Sequence, residues 1–129
     1  MNRTEKTLEF HKKGFNCAQS VVLAYCDLFD IDEKTAARAS EGFGAGMGGR
    51  ATTCGALSGA VMLAGLKHAD GNMEAPSSKF TTYEVAQKLV EEFEKRCGDI
   101  NCCDIKSNQK VSCEECILCG AKLVEEFLL

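Results

Sequence analysis

Short polar residues repeatedly precede runs of apolar residues at helical spacing, and this alternation divides the chain into helices. Asn2 with Glu5 opens a first helix carrying Leu8 that stops at Gly14. Asn16 with Gln19 forms a second capping pattern, leading into Val21, Val22, Tyr25, Leu28 and Phe29 on one broad apolar face. Asp32 caps a helix that runs to about Ser40. The segment Gly42-Phe43-Gly44-Ala45-Gly46-Met47-Gly48-Gly49 cannot continue it, because glycine costs about 1 kcal/mol at each helical position, so a loop is predicted there. Thr53 is the next predicted N-cap. The run behind it interleaves Gly55, Ala56, Gly59, Ala60 and Ala64 with Leu57, Val61, Leu63 and Leu66, the pattern of a buried helix with small residues. Thr81 with Glu84 is predicted to cap a long amphipathic helix through Val85, Leu89 and Phe93 to a stop at Gly98. Asn101 and Ser112 read as the last two N-caps, the latter with Glu115 three residues on, and the final helix runs toward Leu128. Strand signals are almost absent and no long repeat occurs, so the prediction is an all-α, compact multi-helix domain over residues 1–129.

Composition narrows the function classes. A chain of 129 residues with 45% hydrophobic content and a single proline, Pro76, has enough apolar surface for one core. Its formal charge of -4 and lack of a basic cluster argue against nucleic acid as a partner, since phosphate binding needs Lys or Arg focused on one face. No apolar h-region follows the N-terminal charges. The longest apolar stretch, Ala56 to Leu66, is broken by Ser58 and Gly59 and falls short of the roughly 20 residues that span a bilayer. A cytoplasmic protein not integral to a membrane is therefore expected.

Nine cysteines dominate the chemistry. Their odd number favours thiols, metal ligands or redox couples over a set of structural disulfides. Some could be small buried apolar residues. That reading does not account for Cys97, Cys102, Cys103, Cys113, Cys116 and Cys119, which crowd into one short stretch. Cys17, Cys54, Cys102 and Cys113 each directly follow a predicted capping residue and so fall at the first position of a helix. There the free N–H groups and the positive end of the helix dipole favour an anion, lowering a thiol's pKa. The same placement suits attack on a disulfide or ligation of a metal.

Asn16-Cys17-Ala18-Gln19-Ser20-Val21, the glycine-rich segment, and Cys54-Gly55-Ala56-Leu57-Ser58-Gly59-Ala60, with later cysteines, make the chain resemble the C-GCAxxG-C-C family of small redox-active proteins along almost its whole length. The resemblance implies four functional cysteines, which map to Cys17, Cys54, Cys102 and Cys113; Cys103 competes for the third place, and Cys116 and Cys119 for the fourth. It also implies a redox partner protein of unspecified identity. Related domains accompany haem-bearing modules, but no Cys-x-x-Cys-His attachment exists here, so covalent haem is not expected.

Other patterns lead less far. Gly44-x-Gly46-x-x-Gly49 matches the dinucleotide fingerprint, yet a helix rather than a strand precedes it. Gly44, Gly46 and Gly48 are candidates instead for a loop whose backbone N–H groups cradle a sulfur, a cluster or an anion near Cys54. A bare tight turn fits them equally. Cys113-x-x-Cys116-x-x-Cys119 resembles the start of a ferredoxin run, without a local fourth ligand. His11 and His68 read as surface or capping residues, and no hydrolytic triad is visible.

The expectation is a thiol redox or electron-transfer protein. Cys17 and Cys54 lie close together with lowered pKa values, Cys102 and Cys113 join them, and Cys97, Cys103, Cys116 and Cys119 are peripheral. The alternatives are a zinc or iron-sulfur protein held by Cys17, Cys54, Cys102 and Cys113, and an interaction module with inert cysteines. A homodimer is compatible with either.

Overall fold

In the computed structural model, which describes residues 1–108 and 111–129, the chain is all-α: α1 (Arg3–Lys12), α2 (Cys17–Tyr25), α3 (Glu33–Ser40), the one-turn α4 (Gly44–Met47), α5 (Gly55–His68), α6 (Lys79–Cys97), α7 (Cys102–Asn108) and α8 (Cys113–Leu128). Among the described residues the nearest thing to a strand is an isolated antiparallel bridge between Thr53 and Asn101. No described helix is long and apolar enough to cross a membrane.

The caps read from the sequence hold at α1, α2, α3 and α8. Asn16 and Ser112 each form a full capping box, with Gln19 and Glu115 returning a bond to the cap's backbone. Every residue of α2 after Cys17 is buried, so α2 is the central rod of the molecule. It packs against α5, α1, α3 and α8, and α5 in turn packs against α8 and α6. Two glycines set these crossings. A Cβ on Gly59 would stand 2.9 Å from the Ala18 carbonyl oxygen, and one on Gly120 would stand 2.9 Å from that of Ala56. The small-residue pattern of α5 is thus a packing device that draws α2 and α8 in on either side. Leu57, Leu63, Leu89, Phe93, Ile117, Leu123 and Val124 fill the core between them. Tyr25 is fully buried and donates its hydroxyl to Glu125 at 2.6 Å, fastening α2 to α8.

Three predicted details differ. α2 ends at Tyr25, and Cys26–Phe29 form a 3-10 turn closed by Asp30 in the left-handed region (φ 58°). The tighter winding turns Leu28 off the apolar face, leaving it 47% exposed. α6 starts at Lys79, two residues before Thr81, because the preceding loop fixes its start: Asp70 accepts from the Ser77 backbone and hydroxyl, and the Ser78 hydroxyl accepts from Asp70 N. The N-cap of α5 is Cys54 itself, not Thr53. Thr53 is drawn into the bridge with Asn101, and Cys54 N donates to Ile100 O at 2.7 Å, so the helix opens one residue later.

The glycine-rich segment turns back on itself. Ala45, Gly46, Met47, Gly48, Gly49 and Ala51 all have positive φ. Gly46 is the tightest point: its backbone lies so near Ala51 and Thr52 that a Cβ would meet Thr52 N at 2.6 Å. Thr52 N and the Thr52 hydroxyl both donate to Gly46 O, closing the turn.

Candidate functional site

Cys17, Cys54, Cys102 and Cys113 come from four separate helix starts and line one cavity of about 190 Å³. Asn16, Ala45, Ile105, Lys106, Val111, His11 and Cys116 complete its wall. The backbone accounts for the convergence. Cys102 N donates to Thr52 O at 2.7 Å and Cys103 N to Ala51 O at 3.0 Å, which together with the Cys54–Ile100 bond stitch the starts of α5 and α7 side by side. Cys17 reaches the same place because α2 crosses α5 there. A side chain at position 55 would overlap Cys17 Sγ outright and would stand 3.1 Å from Phe43 O, so Gly55 leaves the seat in which the Cys17 sulfur lies. This is the physical reason for glycine directly after Cys54. Asn16, besides capping α2, donates its amide to Glu41 O at 2.8 Å and packs where a Cβ on Gly44 would be, locking the glycine-rich segment to the base of α2.

Exposure grades the four thiols. Cys113 is exposed, Cys17 and Cys102 are half-buried, and Cys54 is 6% exposed. The expected depression of the Cys54 pKa does not occur; it is raised. Its thiol is committed to a hydrogen bond with Cys116, burial adds to this, and the Ala56 and Leu57 amides at the helix start oppose the shift without outweighing it. Cys102 is raised too, by burial, with Lys106 opposing and Cys54, Cys113 and Cys17 adding to the rise. At Cys102 burial outweighs the helix start, and at Cys54 the neighbouring Cys116 and burial do so together.

Cys116 is not peripheral. It lies one helical turn beyond Cys113 on α8, lines the cavity, and is 3% exposed. The three-residue spacing from Cys113 was the available signal, since such neighbours share a helix face. Cys97 and Cys119 are buried behind it, while Cys103 is exposed. His11 is half-buried in the cavity wall rather than on the surface, its Nδ1 3.1 Å from Phe15 O. Of the glycine-rich segment it is Ala45 that lines the cavity. Gly44 is buried against Asn16, Gly46 against Ala51 and Thr52, and Gly48 is exposed where the turn ends. Among the described residues, no three His, Cys, Asp or Glu side chains are gathered as ligands of one metal ion.

Residues 15–127 match the family described as "Putative redox-active protein (C_GCAxxG_C_C)". The chain belongs to this family. No curated protein and no solved structure matches the chain.

The raised thiols carry a consequence for stability. Cys54, Cys102 and Cys26 are held above the usual thiol range, and Cys97 and Cys116 are pushed up to about 12. An unfolded thiol ionises near 8.5, so above that pH the unfolded chain binds fewer protons than the folded one and stability falls. The loss is at most about 1.4 kcal/mol per pH unit for each such thiol. Cys119 is lowered, by its hydrogen bond from Cys97, and acts in the opposite sense: its contribution grows as pH rises through its folded pKa toward about 8.5. Urea unfolding under reductant is expected to show a lower midpoint at pH 9.5 than at pH 7.5. An unchanged or higher midpoint would contradict this account of the buried thiols.

Proposed function

We propose that the chain is a thiol-disulfide exchange protein, in which Cys113 meets the disulfide of a redox partner protein and Cys102 resolves the product. The observation that carries the reading is the convergence of Cys17, Cys54, Cys102 and Cys113 on one cavity with a graded exposure from Cys113 inward. In the first step the Cys113 thiolate attacks one sulfur of the partner disulfide. That bond breaks, a mixed disulfide forms on Cys113, and the displaced partner thiolate takes up a proton. Cys102, which lines the same cavity as Cys113, then attacks the Cys113 sulfur. The second partner thiol leaves and a Cys102–Cys113 disulfide remains. Two cysteine thiols have been oxidised and one disulfide reduced to two thiols. Lys106 in the cavity wall favours the Cys102 thiolate in both directions of this step. Ile105 and Val111 give the cavity its apolar side, against which a partner's side chains pack. A reducing, cytoplasmic setting suits nine free thiols.

The test is an equilibrium titration in buffers of reduced and oxidised glutathione, counting alkylatable thiols and measuring metal content in parallel. The reading requires a reversible loss of two thiols with the slope of a two-electron couple, about 30 mV per tenfold change in the equilibrium constant. A protein that binds stoichiometric metal and shows no reversible thiol loss would overturn it.

A further inference from the structure

The cavity wall carries positive charge in a chain whose formal charge is -4. Lys106 and His11 line it, and among the described residues no Asp or Glu does. The carboxylates nearest in sequence are engaged or lie outside. Asp104 accepts from Asn101 Nδ2 at 3.4 Å, Glu115 accepts from Ser112 N at 3.3 Å within its capping box, and Glu114 is exposed and lines no part of the cavity. Lys106 stands one turn beyond Cys102 on α7, a spacing that puts both on one helix face, and it takes part in no ion pair among the described residues. His11 is oriented by Phe15: a carbonyl only accepts, so Nδ1 donates to Phe15 O and the ring brings no negative charge to the wall. A recess lined by charge of one sign concentrates ligands of the other. At about 190 Å³ the cavity is smaller than the roughly 300–1,000 Å³ of sites that enclose a whole small ligand. It therefore admits one half of a disulfide and leaves the other half at the mouth, beside the exposed Cys113.

We propose that Lys106 makes the cavity selective for disulfides that carry a carboxylate a few bonds from the sulfur, so that its substrate is an anionic disulfide rather than a neutral or cationic one. This selection rests on the exchange reading of the cavity and names the substrate class for it. The carboxylate of the entering half pairs with the Lys106 ammonium, while the apolar part of that half lies against Ile105 and Val111. Cys113 attacks the sulfur of the same half, the S–S bond breaks, and the other half departs as a thiolate that takes up a proton. A lysine suits this duty because its charge sits on a flexible stem and follows the carboxylate from the first encounter to the mixed disulfide. Two sources present this chemistry: a disulfide of low molecular weight with its own carboxylates, and a protein disulfide flanked by Asp or Glu. To Lys106 the two are the same ligand.

The probes are three small disulfides of similar size, the dianion 3,3′-dithiodipropionate, the neutral 2-hydroxyethyl disulfide and the dication cystamine, each added to the reduced full chain. Rates of oxidation at Cys113 are read by acid quenching, alkylation and tandem mass mapping, and each is divided by the rate of the same probe with 2-mercaptoethanol to remove its intrinsic reactivity. The expected order is anion, neutral, cation, with the anion favoured over the cation on the order of fivefold or more, and less so in about 0.5 M salt. Lys106→Gln should lower the anion-to-cation ratio by a similar factor and Lys106→Glu should invert it. Any loss of Cys102 thiolate in these variants slows all three probes alike and leaves the ratio untouched. Lys88→Gln, which removes an exposed lysine outside the cavity, should keep the ratio, and circular dichroism checks the fold of each variant. Short disulfide-linked peptides with Asp or Lys beside the cysteine separate the two sources. Preference for Asp marks a protein disulfide, and preference confined to the small probes marks a low-molecular-weight one; either supports the proposal. A ratio of one or below in the unaltered chain overturns it, as does a ratio that Lys106→Gln leaves unchanged or that Lys88→Gln lowers equally. If no probe oxidises a cavity thiol at all, it is the exchange reading that fails.

Discussion

Cys102→Ser is expected to stall disulfide exchange at the mixed-disulfide stage and to slow release of the second partner thiol by about a hundredfold or more, because a neighbouring thiol acts at an effective concentration far above that of thiols in solution. Cys102 shares the cavity wall with Cys17, Cys54 and Cys113. Serine keeps the size of the side chain and the backbone bond from position 102 to Thr52 O, which ties α7 to the start of α5. Folding should therefore survive while the resolving step is lost. With glutathione disulfide as probe, a glutathione adduct on Cys113 should accumulate and persist. Cys103→Ser is the matched control, since Cys103 is exposed and lines no part of the cavity. Equal rates for the two variants would remove Cys102 from the reaction.

Phe93→Ala is expected to cost about 3–5 kcal/mol, the range for deleting a fully buried aromatic side chain. Phe93 has no exposed surface and lies in the core cluster with Leu57, Leu89 and Ile117. It also anchors α6 one turn before Cys97, so its loss loosens the element that carries this buried cysteine. For a chain of this size the melting temperature should drop by roughly 10 to 20 °C, readable by circular dichroism under reductant. Phe80→Ala on the same helix removes a ring that is 69% exposed and should stay within about 0.5 kcal/mol of the parent. A small effect at Phe93 would mean that α6 does not pack as described.

The helices were legible because capping is local. Asn16 and Gln19, or Ser112 and Glu115, satisfy each other's backbone groups within one turn, and no distant residue can change that. Where a distant partner intervened, the reading shifted: Thr53 was recruited by Asn101, and Ser78 by Asp70. The convergence of Cys17, Cys54, Cys102 and Cys113 was legible as well, through their shared place at helix starts and through the family pattern. Their electrostatics were not. Burial against Cys116 reverses the sign expected for Cys54, and burial is a property of the packed molecule. The meeting of Cys116 with Cys54 in one cavity was hidden because the two are remote in sequence; the approach of α8 to α5 across Gly120 and Ala56 places them together.

The central claim is that cysteines from separate helix starts exchange disulfides with one another in a shared cavity. Mapping the first disulfide formed when the reduced chain meets a slight excess of glutathione disulfide tests it most directly. The account predicts that this bond joins Cys102 to Cys113. A first disulfide that instead involves Cys103 or Cys26, neither of which faces the cavity, would contradict it.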